Sequence, residues 1–216
     1  MSRFYWMYSA MLVGGAFLAA TSGCPSLFTL PPTPLQLWGS LGAAVVFAAV
    51  VIGTGPPLLR VPWYRDMAAL LKRMLTHDDL LGPELDASRA LPIAAYSSLG
   101  EEAFFRGFIQ PYLILKLSGW LGSAPGDHLP VLLGVAAASL LFGLVHFPVL
   151  RELRPWTLFA VLAGAGFGLL GAYSGSLLAP VLAHFLINWR NLVWLAKSEL
   201  EPTDLEALFR GREGQD

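Results

Sequence analysis

Two adjacent glutamates stand in an otherwise apolar stretch, Tyr96-Ser97-Ser98-Leu99-Gly100-Glu101-Glu102-Ala103-Phe104-Phe105-Arg106. On a helix, Glu102 and Arg106 are four residues apart and share a face. The acid lies on the favourable N-terminal side, so the two pair. Glu101 is rotated by about 100° from Glu102 and has no partner on its own helix. An ionisable side chain at the centre of a lipid-spanning helix costs about 2.5–3.5 kcal/mol on insertion scales. A paired carboxylate gives no reason for a second, unpaired one beside it. Two further apolar stretches each hold a histidine, Phe142-Gly143-Leu144-Val145-His146 and His184-Phe185-Leu186-Ile187-Asn188. His184 and Asn188, at i and i+4, project from one helix face.

Each piece alone has a structural reading: a buried ion pair, a packing histidine, an interhelical hydrogen bond. Together they make a hydrolytic set. A carboxylate in an apolar pocket resists ionisation, which suits a general base near neutral pH, and a neighbouring histidine helps to hold and deprotonate a water. A second histidine and an amide on another helix donate hydrogen bonds to a developing oxyanion. Amide hydrolysis by water inside a membrane needs those parts and no covalent nucleophile. Ser97 and Ser98 lie one turn before Glu101, but no Gly-x-Ser-x-Gly elbow surrounds them, which leaves a serine mechanism as a minor option.

The elements that carry these residues are membrane helices. Of 216 residues, 55% are hydrophobic and 13% charged, against about 25% charged in soluble domains. This composition excludes disorder. The single cysteine excludes a disulfide scaffold, and 14 basic against 15 acidic residues exclude a nucleic-acid binder. Six stretches are long and apolar enough to span, at 4–20, 36–56, 91–117, 130–149, 156–173 and 176–195. Only the third contains several charges. The expected fold is an all-α polytopic membrane bundle of about six transmembrane helices.

Basic residues set the orientation. Twelve of the fourteen fall at the N-terminus, in the 57–90 connection, in the 150–155 turn and in the C-terminal part. The intervening loops are nearly free of them, so both termini are expected in the cytoplasm. Glu101 then lies about 15 Å from the cytoplasmic end of its helix at 1.5 Å per residue. His146 is a turn from its own cytoplasmic end and His184 is near mid-span, so all three fit one cavity in the cytoplasmic half. The N-terminal run ending Thr21-Ser22-Gly23-Cys24 loosely resembles a lipoprotein signal. Thr21 suits such a site poorly, and five further spans favour a plain first helix.

Two segments look peripheral. Met67, Leu70, Leu71, Met74 and Leu75 form one apolar helical stripe opposite Arg65, Asp66, Lys72 and Arg73. That pattern suits an interfacial helix on the cytoplasmic leaflet. Thr203 and Glu206 form a capping box for a short tail helix. The small-residue stripe Gly164, Gly168 and Ala172 reads as close packing of the fifth span against the sixth. The chain divides into 1–90 (two membrane helices and the interfacial helix), 91–195 (the catalytic core) and 196–216 (a cytoplasmic tail).

Glu-Glu-x-x-x-Arg, Phe-x-x-x-His and His-x-x-x-Asn on three successive polar-bearing spans resemble the CAAX-protease and bacteriocin-processing (CPBP, or Abi) intramembrane proteases, relatives of the Ras-converting CAAX endoprotease. The resemblance covers roughly 91–195, and all three motifs are present without departure. It implies that Glu101 is the general base, with His146 sharing the activation of water and His184 and Asn188 forming the oxyanion hole. It assigns Glu102 and Arg106 as a structural pair and Phe142 as packing.

The expected activity is therefore an intramembrane endopeptidase acting on a membrane-protein or peptide substrate. The expected setting is the lipid bilayer of a bacterial inner membrane, with no nucleic-acid partner and no cofactor. Oligomeric state, cleavage site and host stay open. The family has been described both as metalloprotease and as glutamate-dependent, and zinc on Glu101, His146 and His184 is the alternative to the favoured metal-free chemistry. Other readings are a non-catalytic adaptor or immunity protein of the same fold and a small proton-relay transporter. Retention of all three motifs weighs against the adaptor, and the absence of a repeated half with broken helices weighs against the transporter.

Overall fold

A computed structural model describes residues 2–77, 81–82, 84–148 and 151–200. Among the described residues the regular elements are all helical. They are α1 (Ser2–Thr21), α2 (Pro34–Leu58), α3 (Pro62–Leu75), α4 (Ala87–Phe104), a π-helical turn (Phe105–Ile109), α5 (Gln110–Leu121), α6 (His128–Val145), a 3-10 turn (Arg151–Leu153), α7 (Arg154–Ser174) and α8 (Leu178–Lys197). The anticipated tail helix around Thr203 and Glu206 lies outside the described residues.

Helices α1, α2, α6 and α7 are long and apolar enough to cross a membrane. The chain is an integral membrane protein built as an all-α bundle. Helices α4 and α8, which carry the polar residues, are not among those four. Their neighbours explain how they are accommodated: α4 packs between α1 and α8, and α8 also packs on α2 and α7. Nine of the 18 residues of α4 are buried, against two of 25 in α2. The more apolar helices face outward and the polar ones are wrapped by protein, which lowers the cost of charge at that depth.

Local sequence sets the helix limits. Thr33 caps α2 by accepting the Gln36 N–H, and Pro34 occupies the first turn, where its missing N–H costs nothing. Asp86 caps α4 by accepting from the backbone N–H groups of Ser88 and Arg89. Those bonds, the Arg89 N–H foremost and the Ser88 hydroxyl next, hold its carboxyl below the ordinary range. The expected single span at 91–117 is divided. Pro111 cannot donate to the carbonyl four residues back, and its ring crowds that carbonyl. The widened turn over Phe105–Ile109 removes the conflict, with Gln110 N–H reaching the Phe105 carbonyl. Gly122, in the left-handed region at φ 63°, then ends α5.

One packing expectation is corrected. The stripe on α7 does not face α8. A Cβ on Gly164 would stand 2.9 Å from Arg106 Nη2 and 3.1 Å from Phe142, and one on Gly168 would stand 2.7 Å from Gln110 Oε1 and 2.9 Å from Val135. The missing side chains therefore admit the polar groups of the π turn and α5, which the periodicity of α7 alone cannot reveal. Part of the apolar stripe of α3 packs on protein. Met67 and Leu70 are buried with Leu153, alongside Trp156 and Phe159. Lys72 Nζ further ties α3 to the end of α8 by donating to the Ser198 carbonyl at 2.5 Å.

Candidate active site

The π turn places Arg106 in the centre of the bundle with no solvent exposure. Its Nη2 donates to the Gly164 carbonyl at 2.7 Å. Its Nε and Nη1 lie 3.4 Å from Glu102 Oε2 and Oε1. The guanidinium also lies over the Phe142 ring at 4.5 Å, a cation–π contact that gains strength when desolvated. One turn further on, Gln110 repeats the pattern by donating to the Gly168 carbonyl at 2.9 Å. The expected Glu102–Arg106 pair is thus the start of a polar ladder that leans on the bare backbone of α7. Gln110 was legible as the next i+4 position after Arg106. Its partner was not.

Glu102 has a second contact that sequence reasoning missed. His184 Nδ1 lies 2.8 Å from Glu102 Oε1. An ionised carboxylate only accepts, so Nδ1 carries the proton and donates it. The ring is stacked on Phe167, centroids 4.7 Å apart, which fixes its plane. His184 Nε2 is thereby directed to Glu101, 3.9 Å from Oε2. His146, just past the end of α6, has the same construction. Its Nδ1 lies 2.7 Å from the Phe142 carbonyl, which can only accept. Its Nε2 is 3.8 Å from Glu101 Oε2.

Glu101 Oε2 is therefore flanked by two imidazole nitrogens from two other helices. It is buried and has no direct hydrogen-bond partner. Separations of 3.8 and 3.9 Å are too long for direct bonds. They suit a small hydrogen-bonding guest that touches all three groups. Glu101, His146 and His184 come together here. Asn188, one turn along α8 from His184, does not join them directly: its Nδ2 donates to the Ser97 hydroxyl at 3.1 Å. Ser97 in turn donates to the Ala94 carbonyl. Sequence reasoning weighs this buried serine only as a minor nucleophile option, although its place four residues before Glu101 puts it on the same helix face. Ser97→Ala frees the Asn188 amide to rotate. On the expected oxyanion role of Asn188, accumulation is unchanged and turnover falls about tenfold, a part of the ~10²–10³ that follows loss of an oxyanion donor. A rate equal to the parent's would contradict the positioning role.

The same geometry bears on zinc. Among the described residues no group of three or more His, Cys, Asp or Glu is arranged to hold a metal ion. Ligands on a tetrahedral zinc at ~2.0–2.2 Å lie about 3.3–3.6 Å from one another, and the two contacts of Glu101 Oε2 are 3.8 and 3.9 Å.

Three comparisons with known proteins bear on this arrangement. A family described as "Rce1-like: Type II CAAX prenyl endopeptidase Rce1-like" matches residues 83–190, half of the chain. That stretch holds every residue of the site named so far. The Uncharacterized protein YpbD of Bacillus subtilis (strain 168) is 26% identical over 148 residues, covering 60% of this chain and 66% of the relative. The match thus spans just under two thirds of that curated relative's length. No solved structure matches the chain.

Proposed function

Because the chain belongs to the Rce1-like family of type II CAAX prenyl endopeptidases, we propose that it is an intramembrane endopeptidase in which Glu101 and His146 activate water. The substrate is a membrane-associated protein or peptide, cut near its membrane junction. The observation that carries this reading is the convergence of Glu101, His146 and His184 from three elements on one buried point. A water held there donates one O–H to the Glu101 carboxylate and the other to His146 Nε2. As its oxygen attacks the scissile carbonyl carbon, Glu101 accepts the proton and later passes it to the leaving amine.

The tetrahedral oxyanion then needs donors. Asn188 spends one amide N–H on Ser97 and keeps the second for it. His184 already donates from Nδ1 to Glu102. Donation from Nε2 as well requires both ring nitrogens to be protonated, and the Glu102 carboxylate on Nδ1 faces that positive charge, Glu101 being neutral once it holds the water's proton. Glu102 and Arg106 hold this frame and make no contact with the reacting atoms. Nothing in this scheme requires a metal.

The test compares membrane-protein termini in cells with and without the chain, then repeats the cleavage in isolated membranes. A terminus that depends on the chain is expected, and its formation is expected to survive EDTA and 1,10-phenanthroline. If no terminus depends on the chain, the protease reading fails. Chelator-induced loss reversed by added zinc would overturn the metal-free mechanism alone.

A further inference from the structure

Helix α2 lies outside the family match at 83–190, yet one of its rings bears on the site. Phe47 fills the space that a side chain on Gly166 would take. A Cβ there would stand 2.9 Å from Phe47 Cε1, and Cζ and Cε2 are nearer still. Seated in that notch of α7, the Phe47 ring meets Phe167 in a T-shaped contact, centroids 5.7 Å apart and planes at 83°. Phe167 is buried and is the ring on which His184 stacks, 4.7 Å away and tilted by only 12°. Three rings therefore run in sequence from α2 through α7 to α8. Phe167 shares one buried cluster with Ala44 and Ala48 of α2 and Ala179 and Ala183 of α8, and such small side chains let helices close on a ring.

From this stack we infer that Phe47 is a positioning residue for His184, acting through Phe167, so that α2 helps to aim an imidazole it does not carry. The bond from His184 Nδ1 to the Glu102 carboxylate holds one corner of the ring and leaves the plane able to tilt about that point. Nε2, directed at Glu101, is displaced by any such tilt. Stacking removes the tilt only while Phe167 is itself unable to turn. Arg106 lies 5.6 Å from the Phe167 centroid, but its own place is set by Glu102 and Gly164. Phe47 instead has its tip fixed in the Gly166 notch and braces the Phe167 ring directly. Misplacing a reacting group by about 1 Å can cost ~10²-fold in rate, which is why a brace two rings away matters.

The role assigned to Phe47 rests on the protease reading, so its test includes a measurement that does not depend on cleavage. In the full chain reconstituted in lipid, labelled histidine gives one imidazole magnetic-resonance signal for each of the four histidines, and that of His184 is the one lost in His184→Gln. A proton held over an aromatic face is shifted by the ring current, so this signal reports the stacking. Phe47→Leu removes the brace and leaves Phe167 and His184 in place in the chain. It is expected to move the His184 signal. Phe47→Met, which keeps the length of the side chain without its ring, takes its place if that protein does not accumulate. An unmoved signal in the folded variant would overturn the inference, whatever the outcome for activity. On the junction found by comparing termini, the variant is expected to lower kcat about tenfold with KM unchanged, a part of the ~10²–10³ that follows loss of an oxyanion donor. A moved signal with the parent's kcat would overturn the positioning role. In a Phe167→Leu background the same substitution should cost nothing further. Additive losses would show that Phe47 does not act through Phe167, and would overturn the inference as well. A moved signal in a chain on which no terminus depends would sink the protease reading and leave the coupling of Phe47 to His184 standing.

Discussion

Glu101→Gln leaves the protein folded and lowers cleavage by about 10²–10⁴-fold, the range for loss of a general base. The substitution is nearly isosteric, and the parent carboxylate has no ion pair to break: its Oε2 stands 3.8 and 3.9 Å from the two imidazoles with no direct bond. A neutral amide in its place still fills the space and accepts a hydrogen bond. It cannot take a proton from water at any accessible pH. In cells, the chain-dependent terminus is expected to vanish with Glu101→Gln or Glu101→Ala at undiminished protein level. Rescue of that terminus by either variant to the parent's extent removes Glu101 from the mechanism.

Glu102→Ala is expected to lose the protein itself. It strands the Arg106 guanidinium, which has no solvent exposure, and removing one partner of a buried pair costs about 3–5 kcal/mol. That is a large share of a typical total stability of ~5–15 kcal/mol. The Gly164 carbonyl and the Phe142 face remain to Arg106, but neither carries a compensating charge. Accumulation in membranes and thermal unfolding in detergent both read the loss. The double variant Glu102→Leu with Arg106→Leu separates the two roles of Glu102. Replacing both members of a buried pair by apolar groups is often neutral, so accumulation should return. Cleavage should not, because His184 Nδ1 has lost its acceptor and the ring its orientation. Normal accumulation of the single variant would contradict the pairing. Full activity of the double variant would contradict the orientation of His184.

Much of this was legible without coordinates because lipid makes polar residues conspicuous. With 13% charged residues, each ionisable group within an apolar run stands out. Helical spacing then assigns Glu102 to Arg106 and leaves Glu101 alone. The same logic sets α4, the span with several charges, apart from the others, whereas α8 reads as an ordinary span and its need for protein around it comes from the packing. The third span reads as continuous over 91–117; Pro111 carries a signal for its interruption, but nothing in the sequence names the π-helical form.

The sequence by itself determined the all-helical membrane class, the identity of the polar residues and the ion pair, because these follow from composition and from contacts three or four residues apart. The tertiary structure decided what no periodicity carries. Glu102 serves His184 across 82 positions, Arg106 and Gln110 each bond a glycine carbonyl across 58, and Asn188 meets Ser97 across 91. The two glycine-carbonyl contacts depend on how closely backbone and side chain approach, which the absent side chains at Gly164 and Gly168 allow. A missing Cβ names no partner in sequence, which is why the seating of α1 on α4 at Gly15 and Gly100 became visible only once the helices were packed.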